Sequence, residues 1–187
     1  MKYQDGEYYH IFNRGAHKLE IFYTDEHYER CLHLLRKYSP RYRTTIIAYC
    51  FMPNHFHLIC RQEPGGSISS FIQTTFNAYS QAVNKQLRHS GTLFQGRAKA
   101  KWIRSDSYAV QVIRYIHLNP TAAGLVEKPE EWKFSDYRDW IFRPSEGVTP
   151  SEGLFLRNSY FQNGDRYREF VGNYHDSSRI ESYLFKE

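Results

Sequence analysis

Two histidines one residue apart, His55 and His57, are the first place in this sequence where side-chain type and spacing suggest chemistry. They lie in Ile-Ile-Ala-Tyr-Cys-Phe-Met-Pro-Asn-His-Phe-His-Leu-Ile-Cys at 46–60, which reads as two β-strands broken at Met52-Pro53-Asn54. Pro53 lacks an N–H and has a fixed φ, so a turn belongs there rather than a continuous strand. Alternate strand residues face opposite ways, so both imidazoles project from one face while Phe56 and Leu58 project from the other. Two imidazoles side by side on a stiff backbone are half of a metal site. An arbitrary His-x-His pair is more often two surface histidines, but the apolar, strand-like flanks shift the balance here.

A second candidate group sits on a helix expected over 105–118, capped by Ser105 or Asp106 and ended by Pro120. At about 100° per residue, Tyr108, Tyr115 and Asn119 fall within about 40° of one another. They flank an apolar face of Ala109, Val112, Ile113 and Ile116. Most of the 16 tyrosines must be ordinary core or rim residues. Tyr115 differs in having a carboxamide one turn later at the same azimuth. A third group is Arg97-Ala98-Lys99-Ala100-Lys101-Trp102, where strand alternation puts three cations on one face and Ala98, Ala100 and Trp102 on the other. Arg104 extends the positive stripe. An edge strand carrying Lys against wrong pairing has the same pattern, and phosphate contact is the reading preferred. Gly91, Gln95 and Gly96 nearby would let backbone or a nucleotide approach closely.

The elements that must position these groups follow in order. Residues 7–13 read as a first strand ended by Asn13-Arg14-Gly15, and Asp25 caps a helix to about Tyr38, stopped by Ser39-Pro40. The two strands around Pro53 come next. Ser67 caps a second helix to about His89, with Ile68, Phe71, Ile72, Phe76, Tyr79 and Val83 as its buried stripe. A fourth strand is expected at about 93–103. The order β-α-β-β-α-β is the split, ferredoxin-like arrangement: an α+β fold with an antiparallel sheet and helices on one face, followed by the helix that carries Tyr115. Trp132, Phe134, Tyr137 and Trp140 form an aromatic segment folding back on this domain, placed at 1–142. Residues 143–150 read as a linker, and 143–187 as a tail that packs on the domain or contacts DNA, with a short helix at 166–171.

The 187 residues fit one domain with a modest appendage. No apolar run approaches the roughly 20 residues of a membrane span, and the N-terminus has no apolar signal region. Cys31, Cys50 and Cys60 form no Cys-x-x-Cys pair, which suits a reducing cytoplasm and argues against a zinc ribbon or disulfide framework. A net charge of +5 with 17% aromatics is what binding single-stranded nucleic acid asks for: cations for phosphates and rings for bases.

Tyr-His-Ile-Phe-Asn-Arg-Gly at 9–15, Met-Pro-Asn-His-Phe-His at 52–57, Leu-Phe-Gln-Gly-Arg at 93–97 and Tyr-Ile-His-Leu-Asn-Pro at 115–120 stand in the order of a known family. On these motifs the sequence resembles the REP-associated tyrosine transposases, within the IS200-like, single-tyrosine HUH nuclease superfamily, over about 9–140. The resemblance implies that His55 and His57 are the metal-binding pair, Asn119 the third polar ligand and Tyr115 the nucleophile. It also implies a divalent ion, Mg²⁺ or Mn²⁺, which two imidazoles and an amide without cysteine suit better than structural zinc. The implied activity is cleavage and rejoining of single-stranded DNA at a palindromic hairpin through a 5′-phosphotyrosine. The hairpin stem would lie on Arg97, Lys99, Lys101 and Arg104, joined by Arg14 from the first turn and by C-terminal arginines. A cytoplasmic monomer is expected, with a dimer as the alternative. A replication initiator or relaxase would use the same residues on a longer chain; a non-catalytic nucleic-acid-binding module would use the histidines structurally.

Overall fold

The structure, a computed structural model, describes residues 2–88, 90–142 and 157–174. Strands β1 (Tyr8–Arg14), β2 (Thr44–Met52), β3 (His55–Gln62) and β4 (Lys99–Ile103) form one sheet in the order β2-β3-β1-β4, every neighbouring pair antiparallel. Helices α1 (Asp25–Tyr38) and α2 (Ile68–Leu87) supply the two crossovers. Helix α3 (Asp106–Ala122) follows β4, then the short α4 (Tyr137–Ile141) and, near the C-terminus, α5 (Gly164–Gly172). This is the expected β-α-β-β-α-β order, and residues 143–150, read as a linker, lie outside the described residues.

Each face of the sheet has its own apolar core. On the face of α1 and α2, Tyr9, Ile11, Phe51, Phe56, Leu58 and Cys60 meet Cys31, Leu35, Phe71, Phe76 and Tyr79. Phe56 stacks on Phe76 at 4.1 Å between ring centroids, and Tyr28 on Phe134 at 3.7 Å. Each buried ring of this kind contributes about 1.5–3 kcal/mol through the area it removes from water. The other face is covered by α3, whose Ala109, Val112, Ile113 and Ile116 pack with Ala48, Cys50, Ile59 and Ile103. A register shift in β2 between Ile46 and Ala48 brings Cys50 and Met52 opposite His57 and His55 on that face.

Met52 ends β2 and His55 begins β3, so Pro53-Asn54 is the two-residue turn of the hairpin. The chain after β1 clamps that turn. Gly15 N–H donates to Asn54 O (2.8 Å), while Ile21 and Phe22 N–H donate to Pro53 O (2.7 and 3.0 Å). A Cβ on Gly15 would stand 2.0 Å from Leu19 O, so only glycine allows this close approach.

Helix α3 is pinned by a buried network. His117, fully buried two residues beyond Tyr115, donates from Nε2 to Asp136 Oδ1 (3.0 Å) and shares a 2.7 Å hydrogen bond between Nδ1 and the Tyr167 hydroxyl of α5. Asp136 Oδ1 also accepts from Tyr49 N–H of β2 (2.8 Å), and its Oδ2 from Trp140 Nε1 of α4 (3.1 Å). One carboxylate thus ties α3, α4 and α5 to the sheet edge.

Two expectations are corrected. Strand β4 starts at Lys99 rather than near 93. Residues 93–98 form only an isolated bridge from Phe94 to Gly15, and Gly96, at φ +143°, bends the chain while its carbonyl accepts from Asn13 Nδ2. Pro120 does not end α3: with two residues left, the helix loses a single internal hydrogen bond, and Ala123 N–H returns to Asn119 O. Trp102 faces away from Lys99 and Lys101 as expected and sits on the rim, 39% exposed, with Nε1 donating to Glu7 (2.8 Å). The caps are as expected at Ser67 and Ser105, whose hydroxyls accept from Ser70 and Tyr108 N–H. At α1 the N-cap is Thr24, one residue before Asp25.

Candidate active site

The register of β3 decides what surrounds the histidines. His57 pairs with Phe12 of β1 and Cys50 of β2, and His55 with Arg14 and Met52. On the far side of β1, His10 stands opposite Lys101 and Phe12 opposite Lys99. One sheet face therefore carries, side by side, His10, His55, His57, Arg14, Lys99 and Lys101, and α3 lies over part of it. Tyr115, 8% exposed, meets His57 edge to face at 5.8 Å between ring centroids. His55 meets His57 in the same manner at 5.0 Å. His57 is 1% exposed, so it faces the site from beneath the helix.

Hydrogen bonds assign the protons of His55. Asn54 Nδ2 donates to Lys18 O (3.4 Å), which turns Asn54 Oδ1 toward His55 Nδ1 at 2.7 Å. An amide oxygen only accepts, so Nδ1 carries the proton and Nε2 keeps a lone pair. The side chain of Asn119 meets this imidazole. Asn119 Nδ2 also donates to Tyr115 O (3.2 Å), which holds the carboxamide beside His55 and Tyr115. A second proton on the ring is disfavoured, because burial lowers the pKa of His55 to about 4 even against the hydrogen bond with Asn119. Burial, with His55 and His10 as neighbours, holds His57 well below the ordinary imidazole value, and burial with the Lys101 charge lowers His10 to about 3. All three imidazoles are thus neutral at pH 7, the form in which imidazole ligates metals. Among the described residues no three His, Cys, Asp or Glu side chains form a metal cluster; the donor set that fits an ion is two imidazoles with a carboxamide.

An open cleft of about 1050 Å³ runs along this face past Arg14, Asn54, His55, Arg97, Lys99 and Lys101. Arg14 hydrogen-bonds through Nε to Gln95 at its rim. Arg97 and Lys99 are exposed, and Lys101 is half-buried. Arg104 departs from the expected stripe: its guanidinium lies 5.1 Å over the Trp102 ring, on the α1/α2 side of the sheet. Among the described residues, the C-terminal arginines are engaged elsewhere. Arg157 is buried and donates to Trp140 O, while Arg166 and Arg168 pair with Glu169 and Asp165. His10, Asn54 and His117 were not singled out from sequence. Strand alternation places His10 on the face of Phe12, but only the cross-strand register reveals that His57 shares it.

Among the described residues no helix is long and apolar enough to cross a membrane. Residues 4–119 match the family described as transposase IS200 like, a stretch that runs to Asn119 itself. Among solved structures, a REP-associated tyrosine transposase bound to a REP hairpin superposes with a TM-score of 0.66 at 20% identity, over 80% of this chain and 91% of that one. A putative transposase from Deinococcus radiodurans superposes with a TM-score of 0.44 at 21% identity, over 62% of this chain and 95% of that one. No curated protein matches. The first likeness supports the α+β fold, and the family match, covering most of the chain from β1 to the end of the Tyr115–Asn119 turn, assigns the sequence: the chain belongs to the IS200-like transposases, which are single-tyrosine HUH nucleases.

Proposed function

We propose that this protein cleaves and rejoins single-stranded DNA beside a palindromic hairpin, with Tyr115 as nucleophile and with His55, His57 and Asn119 holding a divalent ion. The observation that carries the reading is the gathering of these four side chains: His55 and Tyr115 each meet His57 edge to face, and Asn119, one helical turn beyond Tyr115, meets His55. An oxygen ligand with two imidazoles suits Mg²⁺ or Mn²⁺ in an open site. Such an ion, when bound, polarises the scissile phosphate and offsets the negative charge that develops on it.

The remaining steps belong to the chain's own residues. Helix α3, fixed by His117 and Asp136, presents the Tyr115 ring to His57, and its phenolic oxygen is the nucleophile. That oxygen attacks phosphorus and loses its proton; the bond from phosphorus to the 3′ oxygen breaks, and the departing oxygen takes up a proton as a 3′-hydroxyl. Tyr115 is left esterified to the 5′ phosphate. Attack by an incoming 3′-hydroxyl reverses the exchange, forming a new phosphodiester and returning the phenol, so no nucleotide cofactor is consumed. Lys99, Lys101, Arg97 and Arg14 line the cleft and hold the backbone phosphates.

The REP hairpin bound by the solved relative motivates the substrate, a single strand bearing a hairpin. Tyr115 reaches the histidines of its own chain, so the site is complete in one protomer, which supports a monomer. Free, buried Cys31, Cys50 and Cys60 suit a reducing cytoplasm. The test is cleavage of end-labelled hairpin DNA with Mg²⁺, Mn²⁺ or chelator, comparing the native chain with His57→Ala. The reading expects strand scission that chelator stops and that His57→Ala lacks. Binding without scission at any metal concentration would make the protein a non-catalytic module.

A further inference from the structure

The two histidines of β3 differ in how their second nitrogen is engaged. His55 Nδ1 is held by Asn54 Oδ1, and that bond alone fixes its proton. His57 Nδ1 instead meets another imidazole, His10 Nε2, at 2.9 Å, with the rings stacked at 5.1 Å and 20°. Geometry allows either nitrogen to donate, and the two choices have opposite consequences. If His10 donates, His57 must carry its own proton on Nε2 and can offer no lone pair there. If His57 donates, Nε2 is the lone-pair nitrogen.

We propose that His10 is the positioning residue for His57, accepting its Nδ1–H and thereby holding the His57 Nε2 lone pair ready for the metal. This rests on the reading of His57 as a metal ligand. His10 is 1% exposed and is fixed in place as the β1 residue between Ile59 of β3 and Lys101 of β4. A singly protonated ring always retains one acceptor nitrogen, and Nε2 is the His10 nitrogen within reach of His57 Nδ1, at 2.9 Å. Phe12 packs against both rings, with its centroid 4.9 Å from His10 and 6.1 Å from His57, and so confines the pair. The two ligand histidines would then be matched: each has its Nδ1–H tied down, one by Asn54 from the hairpin turn and one by His10 from the neighbouring strand. Such partners orient the ligand and raise its basicity, and their loss typically weakens metal affinity 10–100-fold.

The experiment uses the full chain and Mn²⁺ as the probe, with two measurements. Imidazole ¹⁵N spectra of the metal-free native protein report which His57 nitrogen bears the proton, and calorimetry reports Mn²⁺ affinity. The proposal expects Nδ1–H at His57, with His10→Phe weakening Mn²⁺ binding about 10–100-fold. His10→Gln, which can place a carbonyl oxygen where His10 Nε2 stands, should restore most of that loss. Metal-free hairpin binding should be the same in all three proteins. A proton on His57 Nε2 in the native spectrum overturns the proposal, as does native Mn²⁺ affinity in His10→Phe when His57→Ala has lost it. If His57→Ala binds Mn²⁺ like the native chain, the metal reading itself fails and the role of His10 fails with it.

Discussion

Phe56 and His57 are adjacent on one strand and equally buried, at 0% and 1% exposure, yet they face two differently built halves of the molecule. Phe56 points toward α1 and α2, into aromatic stacking where burial is itself the stabilising term. His57 points toward α3, into a layer that buries two imidazoles, His10 and His57, with half-buried His55 and two lysines beside them, and assigns partners to their nitrogens. That arrangement costs solvation free energy on one face, which the apolar core on the other can sustain. A chain optimised only for folding has no use for it. Burial says little about role until it is known what a side chain is buried against.

The largest effect that would sharpen this contrast is on stability. Phe56→Ala should cost about 3–5 kcal/mol, since it empties a ring-sized cavity between β3 and α2. His57→Ala should cost less in the metal-free protein and should change its pH dependence. His10 and His57 have folded pKa values lowered below an unfolded value near 6.5, so the unfolded chain binds more protons as pH falls. Stability is therefore full above about pH 7 and declines through pH 5, His10 alone accounting for about 2 kcal/mol at pH 5 and His57 acting in the same direction. Denaturant titrations from pH 7 to 5 check this. The native protein should lose stability over that range, and His57→Ala should lose less. If Phe56→Ala and His57→Ala have equal costs and equal pH slopes, the two faces are not differently built.

A smaller effect separates the faces by charge. Replacing Arg97, Lys99 and Lys101 by alanine should make the salt dependence of hairpin binding shallower by roughly 2–3 units of log K per log salt. Arg104→Ala should leave the slope unchanged, because its guanidinium lies over Trp102 on the opposite side. Fluorescence titrations of metal-free protein at several salt concentrations decide it. A flattened slope in Arg104→Ala alone would move the DNA surface to the α1/α2 side.

Much of this was legible in the chain because local rules govern it. Period-two alternation assigned His55 and His57 to one face, Pro53 located the turn, and helical spacing put Tyr115 and Asn119 on one flank. What stayed hidden depends on pairs distant in sequence. His10 meets His57 across 47 residues and His117 meets Asp136 across 19, and no periodicity encodes either. Arg104 was misplaced for a different reason: it lies three residues beyond Lys101, so alternation itself assigns it to the face of Trp102 and not to the stripe of Lys99 and Lys101. Pro120 misled because the cost of proline in a helix depends on how much helix remains beyond it.

The central claim is that Tyr115, and no other tyrosine, becomes covalently joined to DNA. Single-stranded hairpin DNA is incubated with Mn²⁺, the reaction is quenched in denaturant, and the digested protein is mapped by mass spectrometry. The account predicts a nucleotide mass on the peptide carrying Tyr115, joined through its phenolic oxygen. It also predicts no adduct in Tyr115→Phe, whose unfolding free energy should change by only about 1 kcal/mol for the lost hydroxyl. An adduct that persists in Tyr115→Phe, or that maps to Tyr108 or to any residue outside α3, would contradict it.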